Sequence, residues 1–200
     1  MAAAMNVAIL VFDDVEVLDF AGPLEVFNVA SDAAPRNPDP PFNVYTIGHT
    51  GGIVRARGGL KIEPNYSLAN APQSDILIVP GGYGTRRLLK NDMLLDWLRA
   101  QQGKVQHLLS VCTGSLVLAQ AGLLRDMPAT SHHTEVMRLS ELSPSTTPIT
   151  DQRFVVHGNV ITSGGISAGI DMSMYVVEQI CGAEVLAAVK DEMEWQWFQR

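Results

Sequence analysis

The sequence predicts an α/β fold, a mostly parallel sheet with helices on both faces. Two observations carry this. Apolar runs of strand length alternate with stretches of helical spacing, and strands apolar on both faces belong to parallel sheets covered on both sides. Turns rich in glycine or otherwise sharply punctuated follow three of these strands: Gly81-Gly82, Cys112-Thr113-Gly114 and Ser163-Gly164-Gly165. In a parallel sheet such turns sit at strand carboxyl ends, where ligands bind. Two hundred residues, 46% hydrophobic and 18% charged, suit a single folded domain with a substantial core over residues 1–200, residues 1–5 being expected to be disordered.

Asn6 to Phe12 reads as a buried strand ended by the turn-favouring Asp13-Asp14. From Glu16 to Ala30 apolar residues recur at helical spacing, with a break or fresh start at Gly22-Pro23. The proline-rich stretch Ala33 to Pro41 is a surface loop, and Phe42 to Ile47 a second strand. Ile53-Val54 and Leu60-Lys61-Ile62 form a small hairpin, and Asp75 to Val79 a fully apolar strand ending in the loop Pro80 to Gly84. A helix over about Thr85 to Gln102 precedes the strand Val105 to Val111 and the helix Leu116 to Ala121. A short strand at Ala129 to Ser131 and a short helix at Thr134 to Glu141 follow. Phe154 to Thr162 is a hairpin with Gly158-Asn159 at its tip, and helices over Ala168–Cys181 and Glu184–Phe198 close the chain.

The net charge of −7, without a basic patch or helix-turn-helix segment, argues against a nucleic-acid partner. Two cysteines make no disulfide framework, which suggests a reducing compartment. The amino terminus lacks a basic leader, and the apolar run after it is too short to span a membrane. A cytoplasmic protein with a small-molecule partner is expected, and the low charged fraction suggests a homo-oligomer.

Cys112 stands where a strand breaks into a helix, with its thiol toward the first free N–H groups. The helix dipole there favours an anion, so the thiol should ionise more readily than a free one and act as a nucleophile. A small buried core cysteine is the alternative. Thr113 either opens the helix or offers a donor to a bound group. The N–H groups of Gly82 and Thr113 could form an anion-stabilising pair, unless the glycines are merely conformational. His132 and His133 invite a Cys–His dyad, but adjacent residues on an extended segment face opposite sides, so at most one reaches the thiol. His49, His107 and His157 supply no zinc pattern, and neither metal nor cofactor is expected. Cys181 reads as core, Asp13-Asp14 as solvated, and Trp195, Trp197 and Phe198 as lining either a pocket or a dimer contact.

The ordered set Leu18-Asp19-Phe20-Ala21-Gly22-Pro23, Pro80-Gly81-Gly82, Ser110-Val111-Cys112-Thr113-Gly114-Ser115, Gly122-Leu123-Leu124, Ala129-Thr130-Ser131-His132 and Thr162-Ser163-Gly164-Gly165-Ile166-Ser167-Ala168-Gly169-Ile170-Asp171 resembles the DJ-1/PfpI (ThiJ) superfamily, most nearly its isonitrile hydratase branch. The resemblance implies a flavodoxin-like sandwich, usually a homodimer. It also implies that Asp19, otherwise readable as a helix-capping carboxylate, faces the thiol. Cys112, Asp19 and Thr113 match the hydratases' catalytic positions, and Gly81, Gly82, His132 and Gly165 would bind substrate. The implied activity adds water to an isonitrile to give an N-substituted formamide. Alternatives within the superfamily are an amidase, peptidase or glyoxalase-like enzyme leaning on histidine, and a redox-responsive protein with an oxidisable Cys112. The branch also resembles the amino-terminal domain of AraC-type regulators, a role not expected for a chain ending at Arg200 without DNA-binding helices. Three departures bear on pocket shape: Arg125-Asp126-Met127-Pro128 where relatives have a Gly-Lys turn, His133 where hydratases commonly have Trp, and an end soon after Trp195 and Trp197.

Overall fold

A computed structural model describes residues 3–32 and 40–195 of the chain. The first apolar run forms the central strand β1 (Met5–Val11), and Met5, expected in a disordered leader, pairs with Phe42. After it come α1 (Val17–Asp32), β2 (Phe42–Gly48), the hairpin β3 (Val54–Arg55) and β4 (Lys61–Ile62), and the edge strand β5 (Tyr66–Ser67). The middle of the chain holds β6 (Ile76–Val79), α2 (Thr85–Leu88), α3 (Asp92–Gln101), β7 (His107–Val111) and α4 (Gly114–Gln120). The last third holds β8 (Pro128–Ala129), α5 (Arg138–Leu142), β9 (Thr147–Pro148), the hairpin β10 (Phe154–His157) and β11 (Val160–Ser163), α6 (Ala168–Cys181) and α7 (Ala183–Glu192).

Seven strands form the main sheet in the order β10-β11-β7-β6-β1-β2-β5. All neighbours are parallel except β10 and β11. Helices α1, α6 and α7 pack together on one face, and α2, α3 and α5 gather around α4 on the other. Burial on both faces explains the unbroken apolar runs: Ile76, Leu77, Ile78 and Val79 are completely buried. Each such side chain contributes about 1.5–3 kcal/mol. The chain places β2 on one side of β1 and β6 on the other, so β1 and β6 bound the switch point. The carboxyl ends of β1, β6, β7 and β11 open on one edge there.

Several boundaries differ from the sequence reading. Gly22-Pro23 does not break α1; Gly22 lets α6 approach, since a Cβ there would lie 2.8 Å from Ile170 Cγ1. The helix expected over Thr85–Gln102 is two, because Asn91 caps α3 by accepting from the Leu94 N–H at 3.2 Å. The helix expected over Thr134–Glu141 is shortened to α5, and the last helix ends at Glu192. Ala33 to Asp39, Trp197 and Phe198 lie outside the described residues. Among the described residues no helix is long and apolar enough to cross a membrane.

Candidate active site

Cys112 follows the last residue of β7 in a left-handed conformation, φ 56°. Such strain costs on the order of 1–3 kcal/mol and persists only where the surroundings hold it. Here its N–H donates to the Ser163 and Gly164 carbonyls, both at 3.1 Å, and its carbonyl accepts from the Ser115 and Ser131 hydroxyls at 3.1 and 3.0 Å. Gly114 lets α4 start hard against β6, for a Cβ there would meet Val79 O at 2.0 Å. The cysteine is 6% exposed at the inner end of a cavity.

Asp19, in the first turn of α1, is fully buried. Its Oδ2 accepts from the Gly81 N–H at 3.0 Å, a residue 62 positions away, so it is not a cap of its own helix. Its Oδ1 is buried without a hydrogen-bond partner, and the Cys112 thiol and the Ile166 N–H are weak neighbours of the carboxyl. Burial pushes the carboxyl up to about 7, against the pull of the Gly81 N–H and with help from Glu16. Burial also pushes the Cys112 thiol up to about 12, with the Asp19 charge adding to it, while the Thr113 N–H and hydroxyl pull the other way. The expectation of a readily ionised thiol is therefore not met. Helix α4 is only seven residues long, and its dipole is outweighed by burial and by the carboxylate. Below about pH 7 both groups are neutral; above it they share one negative charge.

The expected anion-stabilising pair is also rearranged. Gly82 N–H donates to Thr113 Oγ1 at 3.1 Å, and the Gly81 N–H is taken by Asp19, so these amides hold the Thr113 and Asp19 side chains in place. Gly82 has φ 125°, and a Cβ there would lie 2.4 Å from Asp14 O, which leaves only glycine. Thr113 makes no capping hydrogen bond to α4; its hydroxyl sits 3.2 Å from that of Thr85.

Of the two adjacent histidines only His132 lines the cavity, with the His133 ring tilted against it at 4.3 Å. His132 Nδ1 lies 2.8 Å from Thr134 Oγ1 and accepts from the Thr134 N–H at 3.3 Å, an arrangement that suits a neutral ring with its proton on Nε2. Burial, then His133, lowers the pKa of His132, so the ring is neutral at pH 7 and offers a donor. Neither histidine hydrogen-bonds Cys112 among the described residues. Gly165 does not line the cavity but seats this ring: a Cβ there would lie 2.4 Å from His132 Cδ2.

The cavity, about 140 Å³, is rimmed by charge that the sequence reading missed. Arg57 donates to Glu16 at 2.6 Å and Arg86 to Glu135 at 3.2 Å, and both guanidinium carbons lie near the Tyr83 ring centroid, at 5.1 and 5.4 Å. Tyr83, next to Gly82, was within reach of a sequence argument; the four charges come from separated segments and formed no pattern. Ile166, at φ 57°, completes the lining. Asp13 and Asp14 are more than solvated: Asp13 accepts from the Arg55 N–H and Asp14 pairs with Arg87. Trp195 lies outside the cavity lining and donates to buried Asp171 at 3.2 Å, which also binds Arg153. Among the described residues no group of three or more His, Cys, Asp or Glu is placed to hold a metal.

The DJ-1/PfpI family model matches residues 5–179, nearly the whole described chain. The chain belongs to the DJ-1/PfpI family. It is 32% identical to isonitrile hydratase of Pseudomonas putida over 96% of its own length and 79% of that protein. It is also 30% identical to the HTH-type transcriptional regulator GbdR of Pseudomonas aeruginosa, spanning 93% of this chain but about half, 49%, of that one. Among solved structures, a THiJ/PfpI family protein from Pseudomonas syringae superposes with a TM-score of 0.87 at 25% identity, covering 98% of this chain and 77% of that one. The flavodoxin-like fold of this DJ-1/PfpI chain is thereby shown.

Proposed function

We propose that this DJ-1/PfpI protein hydrates isonitriles, with Cys112 as nucleophile and Asp19 as the proton carrier. The observation that carries the reading is the buried Cys112–Asp19 pair, whose carboxyl holds its proton up to about pH 7 beside the sulfur. The likeness to isonitrile hydratase supports it. The Cys112 sulfur forms a bond to the terminal carbon of the isonitrile. The thiol proton passes to Asp19 as the Asp19 proton passes to that carbon, leaving a thioimidate. Water then adds across the C=N bond, hydroxyl to carbon and proton to nitrogen, with Asp19 relaying protons. The C–S bond breaks, sulfur regains its proton, and an N-substituted formamide leaves. Thr113 holds its N–H and hydroxyl near the sulfur and favours the charge that develops there.

The amidase and peptidase alternatives need a histidine base beside the thiol, and His132 offers a donor instead. The acidic balance supports a small molecule over a nucleic acid as the partner of this domain. We further assign it to the cytoplasm, on its two free thiols, and to a homodimer, which light scattering checks. The deciding experiment is turnover of methyl isocyanide to N-methylformamide by the unmodified protein, Cys112→Ala and Asp19→Asn. Loss to background in the first variant and a fall of about 10²-fold or more in the second are expected. Folded protein that yields no formamide removes the hydratase reading.

A further inference from the structure

The cavity has two chemically distinct ends. At the inner end are the sulfur, Thr113 and buried Asp19; at the rim, Arg57 and Arg86 flank Tyr83, a ring 57% exposed. An isonitrile with a purely apolar substituent would use nothing of that rim. Each guanidinium gives a single N–H to its carboxylate, Arg57 through Nη1 and Arg86 through Nη2, and makes no other side-chain hydrogen bond among the described residues. Each therefore keeps free donors in a planar fork. Glu135 is shared by Arg86 and Arg138, at 3.2 and 3.3 Å, so Arg86 holds only part of that carboxylate, and two guanidinium groups face two carboxylates, Glu16 and Glu135, in the lining. In a chain of net charge −7 the mouth of the pocket that holds the cysteine is thus balanced in charge, with two arginines in its lining. The Tyr83 ring holds both guanidinium groups close to it by cation–π attraction, at 5.1 and 5.4 Å, which organises the donors before any ligand arrives.

We propose that the substrate carries a carboxylate, seated between Arg57 and Arg86 while its electrophilic carbon reaches Cys112. The natural substrate class is then a small isocyano-carboxylate, an inference that rests on the hydratase reading for the isocyano group alone. A planar carboxylate matches the guanidinium fork, and a cavity of about 140 Å³ limits the molecule to a few heavy atoms.

The seat is testable apart from hydration. Cys112 is alkylated with iodoacetate and with iodoacetamide, its modification followed by mass spectrometry, and each rate is divided by that of glutathione with the same reagent. The normalised rate for iodoacetate is expected to exceed that for iodoacetamide about tenfold. The ratio should fall to about one in the Arg57→Gln/Arg86→Gln variant and at high salt. A ratio of one or less in the unmodified protein, including no reaction with either reagent, overturns the proposal, as does a raised ratio that survives the double substitution. Turnover of isocyanoacetate and methyl isocyanide separates the two ideas. A raised alkylation ratio with neither isonitrile consumed keeps the carboxylate seat and removes hydration. Equal kcat/KM for both isonitriles with a ratio of one keeps hydration and removes the seat.

Discussion

Replacing Asp19 by Asn should make the protein more stable above neutral pH while lowering the proposed turnover about 10²-fold or more. The folded chain holds the Asp19 proton up to about pH 7, whereas the unfolded chain releases it near 3.8. Between those values the folded state binds more protons than the unfolded one, so stability falls as pH rises from about 4 to 7. Above 7 the full cost is present. At ~1.4 kcal/mol per tenfold change, moving a carboxyl from 3.8 to about 7 costs about 4 kcal/mol at pH 8. Cys112 stays neutral through that window, so the cost is that of Asp19 alone. Asparagine keeps an oxygen for the Gly81 N–H and carries no charge. Any misfit of its amide against the sulfur does not change with pH, and the difference between two pH values isolates the buried charge. Urea unfolding of both proteins at pH 4 and pH 8 measures it. The Asn variant should gain about 4 kcal/mol relative to the unmodified protein between the two, roughly 2 M in midpoint at a slope of about 2 kcal/mol per molar. A gain that is the same at both pH values would refute the claim that burial holds this carboxyl protonated.

The same titration shapes activity. With Asp19 as proton donor, kcat/KM should be flat below about pH 7 and fall tenfold per pH unit above it, in a profile of isonitrile turnover. An inflection absent near 7 would take the donor role from Asp19. Gly165→Ala should push the His132 ring aside and lower kcat/KM about tenfold, since its Cβ would stand 2.4 Å from His132 Cδ2. Unchanged kinetics would show that His132 has no contact with substrate. Asp171→Asn breaks the ion pair with half-exposed Arg153 and weakens the Trp195 contact, and should cost about 2 kcal/mol by urea unfolding. A loss below about 0.5 kcal/mol would show the pair to be indifferent.

Local chemistry was legible in the chain, and long-range chemistry was not. The position of Cys112 followed from an apolar run broken by Thr-Gly before a helical pattern, all within a dozen residues. The hairpin β10–β11 followed from alternation around Gly158-Asn159, and Gly158 does adopt φ 59°. Asp19 was different: its partner Gly81 is 62 residues distant, and its own surroundings read as a helix start. Only the family resemblance placed it against the thiol. The rim escaped altogether because half-exposed Arg57 and Arg86 and the more buried Glu16 and Glu135 lie on separate segments, each ordinary where it stands. The thiol's acidity was misjudged for a related reason. The helix N-terminus is visible in sequence, but the burial that outweighs it is a property of the assembled sheet.

That misjudgement bears on which superfamily chemistry suits this site. A redox-responsive cysteine works through an accessible thiolate, because peroxide reacts with the anion. Here the thiol is 6% exposed and pushed up to about 12, with a carboxyl rather than a cation at its side. A site so built does not keep a standing thiolate; it keeps a proton within reach of the sulfur. The proposed isonitrile addition would use that arrangement, since the attacked carbon must receive a proton as the C–S bond forms, and below about pH 7 the charge-free pair meets a neutral electrophile without cost from desolvated charge. The left-handed Cys112 and Ile166, which border the cavity, and the unpaired Oδ1 of Asp19 place strain and unsatisfied polarity around the thiol. At pH 8 asparagine at position 19 would spare the fold the cost of that buried charge.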